Sequence, residues 1–316
     1  MAEMLKRTVV IGGACVDLKG RPLHPLMART SNAGLLARTT GGVALNIALN
    51  LAKLGLSPLF ISMLGDDPEG RHLAETCSEA GIDTSRIVLS PHERTAIYQA
   101  VMDEEGELYV AIAAMRIFDC FTPEFLCLHE SALLQASLVI ADTNPPPETL
   151  HFLAEFCRKH NIALWIEPTT ADKSRKIFPH LDGITYLSPN REELEILVGK
   201  KLSTIPQMVN GARELIAQGI RHVFVTLDVD GVLWVDEQSF IHTPTAQVPI
   251  ADVTGAGDAF VAGSIRAILA GLPMERAVQH GIASAVLTIQ VHESVRSDLT
   301  ANFVESAVKE FFPNGD

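Results

Sequence analysis

Asp252-Val-Thr-Gly255-Ala-Gly257-Asp258, running on into the small-residue stretch Ala259-Phe-Val-Ala-Gly-Ser264, decides how the rest of this chain is read. Glycines at 255 and 257 permit a tight turn into a helix, whose first amide N–H groups then point at one spot where negative charge can be held. Asp258 stands beside that spot. A carboxylate there can take the proton of an attacking hydroxyl while the amides and the helix dipole stabilise the oxygens of a phosphoryl group in transfer. An ordinary helix start with an acid in its first turn is written in the same letters, and the motif alone leaves both readings open.

Working outward, Gly41-Gly42 precede a stretch in which Val43, Ile47, Leu51 and Leu54 recur at helical spacing, with Asn46 on its first turn. Thr8-Val-Val-Ile-Gly-Gly13 reads as a buried strand, and Asp17 falls where that strand is expected to end. Asp17 and Asn46 suit the vicinal hydroxyls of a sugar, and are equally at home as a turn residue and a polar spot on a helix. Ser188-Pro-Asn-Arg-Glu-Glu193 reads as a helix start of the capping-box type, with Asn190 as cap and Glu193 three residues on.

These markers, in the chain order Asp17, Gly41-Gly42 with Asn46, Ser188 to Glu193, the strand Val223-Phe-Val-Thr226 and Gly255 to Asp258, resemble the PfkB family of carbohydrate and nucleoside kinases, also called the ribokinase family, over essentially the whole chain. The resemblance implies a ribokinase-like α/β fold: a three-layer α/β/α sandwich with a mainly parallel central sheet and a small β-sheet lid, one kinase domain over residues 1–316. It implies Asp258 as catalytic base and the amides of Gly255, Ala256, Gly257 and Asp258 as the anion hole. Asp17 and Asn46, with the backbone of Gly41 and Gly42, would grip the sugar diol. Asn190 and Glu193 would organise Mg²⁺ and phosphate, largely through water, and ATP would lie over Thr226, Gly231 and the segment Gly281 to Ala285. Asp252 and Thr254 would offer oxygens to a monovalent cation such as K⁺.

Within the family the likeness is to pseudouridine kinases. It is carried by Gly12-Gly-Ala-Cys-Val-Asp17 with Lys19-Gly20, by Gly41-Gly-Val-Ala44 with Asn46, and by Gly65-Asp-Asp67 with Gly70. Ala141-Asp-Thr-Asn144, Glu167-Pro-Thr169 with Lys173, and Asp252-Val-Thr254 complete it. This subgroup adds Asp142 and Lys173 to the substrate-binding set, although an exposed surface charge accounts for Lys173 equally well. The implied reaction is ATP-dependent phosphorylation of the 5′-hydroxyl of pseudouridine.

Two departures matter. The family usually has glycine two places after the strand threonine, whereas Thr226 is followed by Leu227 and Asp228, and an acid facing inward there repels ATP phosphates. Ala113-Ala-Met-Arg116 stands where the subgroup carries Asn and Asp, so ribose, a purine nucleoside or a hexose remain alternative acceptors. Asp228 also leaves open a noncatalytic nucleoside-sensing protein on a kinase fold. An NAD-dependent Rossmann enzyme fares poorly, because no Gly-x-Gly-x-x-Gly follows the first strand directly.

The 316 residues, 47% of them hydrophobic, suffice for one large core. A net charge of −13, with the 25 Lys and Arg unclustered, argues against nucleic acid as a partner. Cys15, Cys77, Cys120, Cys127 and Cys157 are scattered and odd in number, which reads as reduced thiols in a cytoplasmic protein. The first strand begins within a few residues of the start and no apolar run spans a bilayer, so neither a signal peptide nor a membrane segment is expected. His129-Glu130 and His292-Glu293 read as solvated positions.

Strands and amphipathic helices alternate through most of the chain, as in a parallel sheet covered on both faces. The clearest strands are Leu59–Met63, Leu138–Ala141, Ala163–Ile166 and His222–Thr226. Helices are expected over 68–80, 148–160, 190–198, 208–218, 255–270, 274–290 and 306–312, with fraying from Pro313 to Asp316. Two stretches break the alternation, about 17–40 and 95–114, the second a hairpin around Asp103-Glu-Glu-Gly106. They form the lid, which keeps water from competing as acceptor and offers apolar side chains for pairing with a second copy as a homodimer.

Overall fold

Val9, Val10 and Ile11 are fully buried, as are Leu138 to Ala141 and Leu164 to Ile166, and apolar runs with no exposed alternate belong to the middle of a parallel sheet. In the computed structural model, which describes residues 7–178 and 181–313, these runs are central strands of a nine-stranded sheet. From one edge to the other its strands are Phe240–Thr243, Val232–Val235, His222–Thr226, Tyr186–Leu187, Ala163–Glu167, Ala136–Asp142, Arg7–Ile11, Leu59–Gly65 and Asp83–Ser90. Neighbours pair in parallel up to His222–Thr226, beyond which the last two strands run antiparallel.

Alternate residues of the central strand serve opposite layers. Val9 and Ile11 pack with Leu150, Leu153 and Cys157 of the helix Pro147–His160. Val10 packs with Leu45 and Ile47 of the helix Val43–Lys53 and with Val261 of the helix Ala256–Leu269. The result is the expected three-layer sandwich.

Arg7–Ile11 lies between Leu59–Gly65 and Ala136–Asp142, so the chain first builds outward on one side and then returns to the other. In an open parallel sheet the crevice outside the carboxyl ends of the strands at such a reversal is where ligands bind. Gly12, Asp142 and Glu167 stand at that edge.

Four further strands form the lid, in the order Gly34–Gly41, Cys15–Pro22, Ala96–Met102 and Leu108–Ala114. The outer pairs are antiparallel and the central pair parallel, and the hairpin turn is closed by Asp103 N–H to the Glu107 carbonyl at 2.8 Å. Asp17 departs from expectation. It sits inside a lid strand, paired with Thr39 and Tyr98, because the chain turns away from the first core strand at Gly12, φ 148°, and starts a new strand at Cys15.

Helix bounds agree closely with the sequence reading, with two instructive exceptions. The helix expected from Met208 begins at Ile205, since Thr204 and Gln207 close a capping box one turn earlier. The C-terminal helix starts at Ala301, where Thr300 caps it, rather than at 306. His129, expected in solvent, is buried edge-on to Phe125 with ring centroids 4.8 Å apart. Residues 314–316 of the stretch expected to fray lie outside the described residues. Among the described residues all five cysteines are free thiols, and no helix is long and apolar enough to cross a membrane.

Asp142 locks the sheet edge to the helix layer. Fully buried, its carboxylate accepts from the N–H groups of Gly13 at 3.0 Å, Ala44 at 3.3 Å and Asn144 at 2.9 Å, and from Asn144 Nδ2 at 2.7 Å. Asp142→Ala therefore leaves several buried donors without partners and is expected to cost about 3 kcal/mol or more in urea unfolding, while Asp142→Asn, which keeps one acceptor oxygen, costs less.

Candidate active site

Gly255 caps the helix Ala256–Leu269 with φ 83° and ψ −1°, a left-handed conformation that other residues resist, and a Cβ there would run into the Ser294 carbonyl. Ala256 N–H turns back to the Val253 carbonyl at 3.3 Å. The amides of Gly257 and Asp258 remain as the first-turn donors at the helix end. Gly257 has open space beside it, its nearest neighbour being Glu167 Oε1, 3.9 Å from where a Cβ would stand. That opening, next to donors and a dipole end, is a cradle of the size and polarity that fit a phosphate oxygen.

Asp258 is 7% exposed, and Asn46 Nδ2 donates to its Oδ2 at 2.8 Å across 212 residues of sequence. Burial pushes its carboxyl up to about 7; the Asn46 bond pulls down, and the Asp142 charge adds to the rise. Asp17, Gly42, Asn46 and Asp258 line a single cavity of about 1230 Å³ between sheet edge and lid. Asp17 also accepts from Cys15 Sγ at 3.3 Å, and burial raises its carboxyl. Gly41 is packed against the Asp17 carboxylate, leaving no room for a side chain, and its contribution is to let Asp17 stand where it does.

Asn190 caps the helix Arg191–Val198 and forms the expected box: its Oδ1 accepts from Glu193 N–H at 2.9 Å, and Glu193 Oε2 accepts from Asn190 N–H at 2.9 Å. The capping reading is borne out, and both residues also line the cavity. Burial lifts Glu193 to about 7. Lys173 lines the cavity too, its Nζ held by Asn144 Oδ1 at 2.7 Å, which ties it through Asn144 to Asp142.

Thr226, Thr254 and Ala285 lie on the cavity wall, as does the exposed Asp228, whose φ of 51° strains a non-glycine backbone. Five sequence-nominated positions stand off that wall. Gly41 is packed against Asp17; Asp142 is spent on the sheet edge; Gly231 turns between strands, against Thr243 and Pro244; Gly281 lets its helix pack on Ser264 and Phe260; and Asp252 accepts from Thr254 N–H at 2.8 Å and Oγ1 at 2.7 Å.

Glu167 is the site residue that spacing alone did not single out. It ends the strand Ala163–Glu167, is 8% exposed, and accepts from Ser188 Oγ, which itself accepts from Trp165 Nε1 at 2.7 Å. Burial, with the charges of Glu193, Asp258 and Asp142, holds its carboxyl well above the ordinary range. An acid closing a strand that is otherwise buried on both faces was the available signal. Glu167 and Glu193 carry hard carboxylate oxygens of the kind Mg²⁺ takes. Among the described residues no group of three or more acidic, His or Cys side chains is set to hold a metal directly.

A family model described as pfkB family carbohydrate kinase matches residues 5–301. Pseudouridine kinase of Escherichia coli (strain K12) is 30% identical over 303 residues, covering 95% of this chain and 96% of the relative. Guanosine-inosine kinase of Exiguobacterium acetylicum is 28% identical over 290 residues, covering 88% and 91%. The structure of Arabidopsis thaliana ribokinase complexed with ribose and ATP superposes with a TM-score of 0.87 at 23% identity, covering 97% of this chain and 99% of that one.

The raised carboxyls make stability depend on pH. A carboxyl whose folded pKa exceeds its unfolded value contributes stability that is complete below the unfolded pKa and lost as pH rises through the folded one. For Asp258 and Glu193 that window runs from the ordinary carboxylate range to about 7, and for Glu167 it runs from the ordinary range well upward. Glu167→Gln is expected to raise the melting temperature of the free protein more at pH 8 than at pH 5, by roughly 2–4 °C for each kcal/mol relieved. Thermal melts at the two pH values check it.

Proposed function

This chain belongs to the pfkB carbohydrate kinase family, phosphotransferases acting on an alcohol group, and on that premise we propose that it phosphorylates the 5′-hydroxyl of a ribosyl nucleoside, pseudouridine first among them. The observation that carries the reading is the meeting of Asp258 with Asn46 and Asp17 around one cavity, the glycine-capped helix start at its floor.

On this reading Asp258 takes the proton of the 5′-hydroxyl. A carboxyl near 7 is well matched to that task, since it is partly ionised at neutral pH and still basic enough to draw a proton. Asp17, with Asn46 and the backbone of Gly42, orients the ribose diol, and Lys173 faces the part of the acceptor beyond the sugar. The amides of Gly257 and Asp258 hold the transferring oxygens, while Thr226 and Ala285 take the nucleotide. Asn190, Glu193 and Glu167 would hold Mg²⁺, which when bound offsets phosphate charge. Thr254 and the backbone around it are the proposed contacts for K⁺. We read residues 1–316 as one kinase domain whose lid segments close over the acceptor and exclude water.

A second acceptor class is favoured by one observation: Ala113 and Met115 give the cavity an apolar wall where hydrogen-bonding groups would read a base edge. Guanosine and inosine belong in the same trial.

The test is ADP release with Mg-ATP across pseudouridine, uridine, adenosine, inosine, guanosine, ribose and fructose. Pseudouridine is expected to give the highest kcat/KM, and a greater value with ribose or fructose would overturn the nucleoside reading. Asp258→Asn should keep the fold and lower kcat by roughly 10²–10⁴; near-wild-type turnover removes it from the mechanism. Exposed Leu35, Leu36, Leu108, Tyr109, Val110 and Ile112 on the lid support a homodimer, and light scattering is expected to give the mass of two chains, a one-chain mass at working concentration counting against it.

A further inference from the structure

Asn46 is 6% exposed on the first turn of the helix Val43–Lys53, and its side chain donates to Asp258, Nδ2 to Oδ2 at 2.8 Å. The reverse setting of the amide would press two oxygens together, so the charge of the carboxylate dictates which end faces it. Its Oδ1 is buried with no protein donor. The turn that carries it is braced from the next one, where Asn50 Nδ2 donates to the Asn46 carbonyl at 2.9 Å.

What surrounds Asp258 makes this single donor consequential. Asp142 faces it from the strand Ala136–Asp142, and Glu167 from the strand Ala163–Glu167, both acids. Burial and the Asp142 charge oppose its ionised form, while the Asn46 bond favours it, as does its place in the first turn of the helix Ala256–Leu269. A hydrogen bond to a charged group is among the stronger kinds, and in a dry site it is worth more than in water.

We infer that Asn46 is a positioning residue for the transfer step: its amide fixes the Asp258 carboxyl and sustains its charged form, beside the contact with the acceptor diol proposed above. The inference rests on Asp258 acting as the base. Removing the amide leaves the helix end alone to oppose burial and the Asp142 charge, so a larger share of Asp258 carries a proton at neutral pH and turnover falls until the pH is raised. A residue that served only to bind the acceptor would raise acceptor KM at every pH and leave the acid limb of kcat in place.

Two measurements test it on the full chain. In the first, the Asp258 carboxyl is titrated by ¹³C NMR without substrate, its signal assigned by its loss in Asp258→Asn. Asn46→Ala is expected to raise the midpoint by about one pH unit, the size of one hydrogen bond to a charged group. In the second, kcat is followed against pH with the acceptor the wild type uses best. The acid limb should move by the same amount, with about fivefold lower turnover at pH 7 that recovers toward pH 9. Asn46→Leu, close in bulk and without a donor, repeats both if alanine leaves the chain unfolded. An unmoved NMR midpoint overturns the inference, as does a raised acceptor KM with the acid limb unshifted. Absence of turnover with every nucleoside would instead defeat the proposed activity, because the NMR arm needs none.

Discussion

A buried carboxyl group on the wall of a large cavity, with no cation among the described residues paired to it, is the constraint on which this structure turns. Asp258 meets it with one hydrogen bond, from Asn46 at 2.8 Å, and that bond demands a particular packing of distant parts of the chain. The helices Val43–Lys53 and Ala256–Leu269 must lie side by side on one face of the sheet. On its other side Ala256–Leu269 is packed so closely on the helix Met274–Thr288 that a Cβ at Gly263 would strike Ser284 and the His280 carbonyl. A glycine-capped helix start, Asn46 and an acid with a carboxyl near 7 thus converge because the core behind them is tightly packed.

The same logic runs along the sheet edge. Asp142, Glu167, Glu193 and Asp258 are all buried within one region, and each is satisfied differently: by backbone donors, by Ser188, by a helix cap and by Asn46. Concentrated negative charge of this kind is unfavourable in the free protein and suits a site that works on a polyphosphate accompanied by metal ions. Asp228, exposed on the cavity wall, is the exception that points the other way, toward weaker hold on phosphate.

Much of this was legible in the residues. Buried strands, amphipathic helices and the two irregular lid stretches follow from periodicity, and Asn190 with Glu193 announced its cap by spacing. Other features depend on geometry that one dimension hides. Asp17 fell inside a lid strand because the turn at Gly12 is completed only by the neighbouring strand and the Asp142 carboxylate. Gly281 was nominated for a nucleotide although its missing side chain serves helix packing, a use that only the partner residues Ser264 and Phe260 reveal. Glu167 gained its place through Ser188 and Trp165, contacts set by strand order.

The proposed activity requires the acceptor hydroxyl to meet Asp258 at the glycine-capped helix start. A crystal structure with pseudouridine and a non-hydrolysable ATP analogue measures this directly. The 5′-oxygen is expected within about 3 Å of an Asp258 carboxylate oxygen, with the terminal phosphate against the amides of Gly257 and Asp258. A 5′-oxygen bonded elsewhere, with Asp258 still closed on Asn46 and out of its reach, would contradict it.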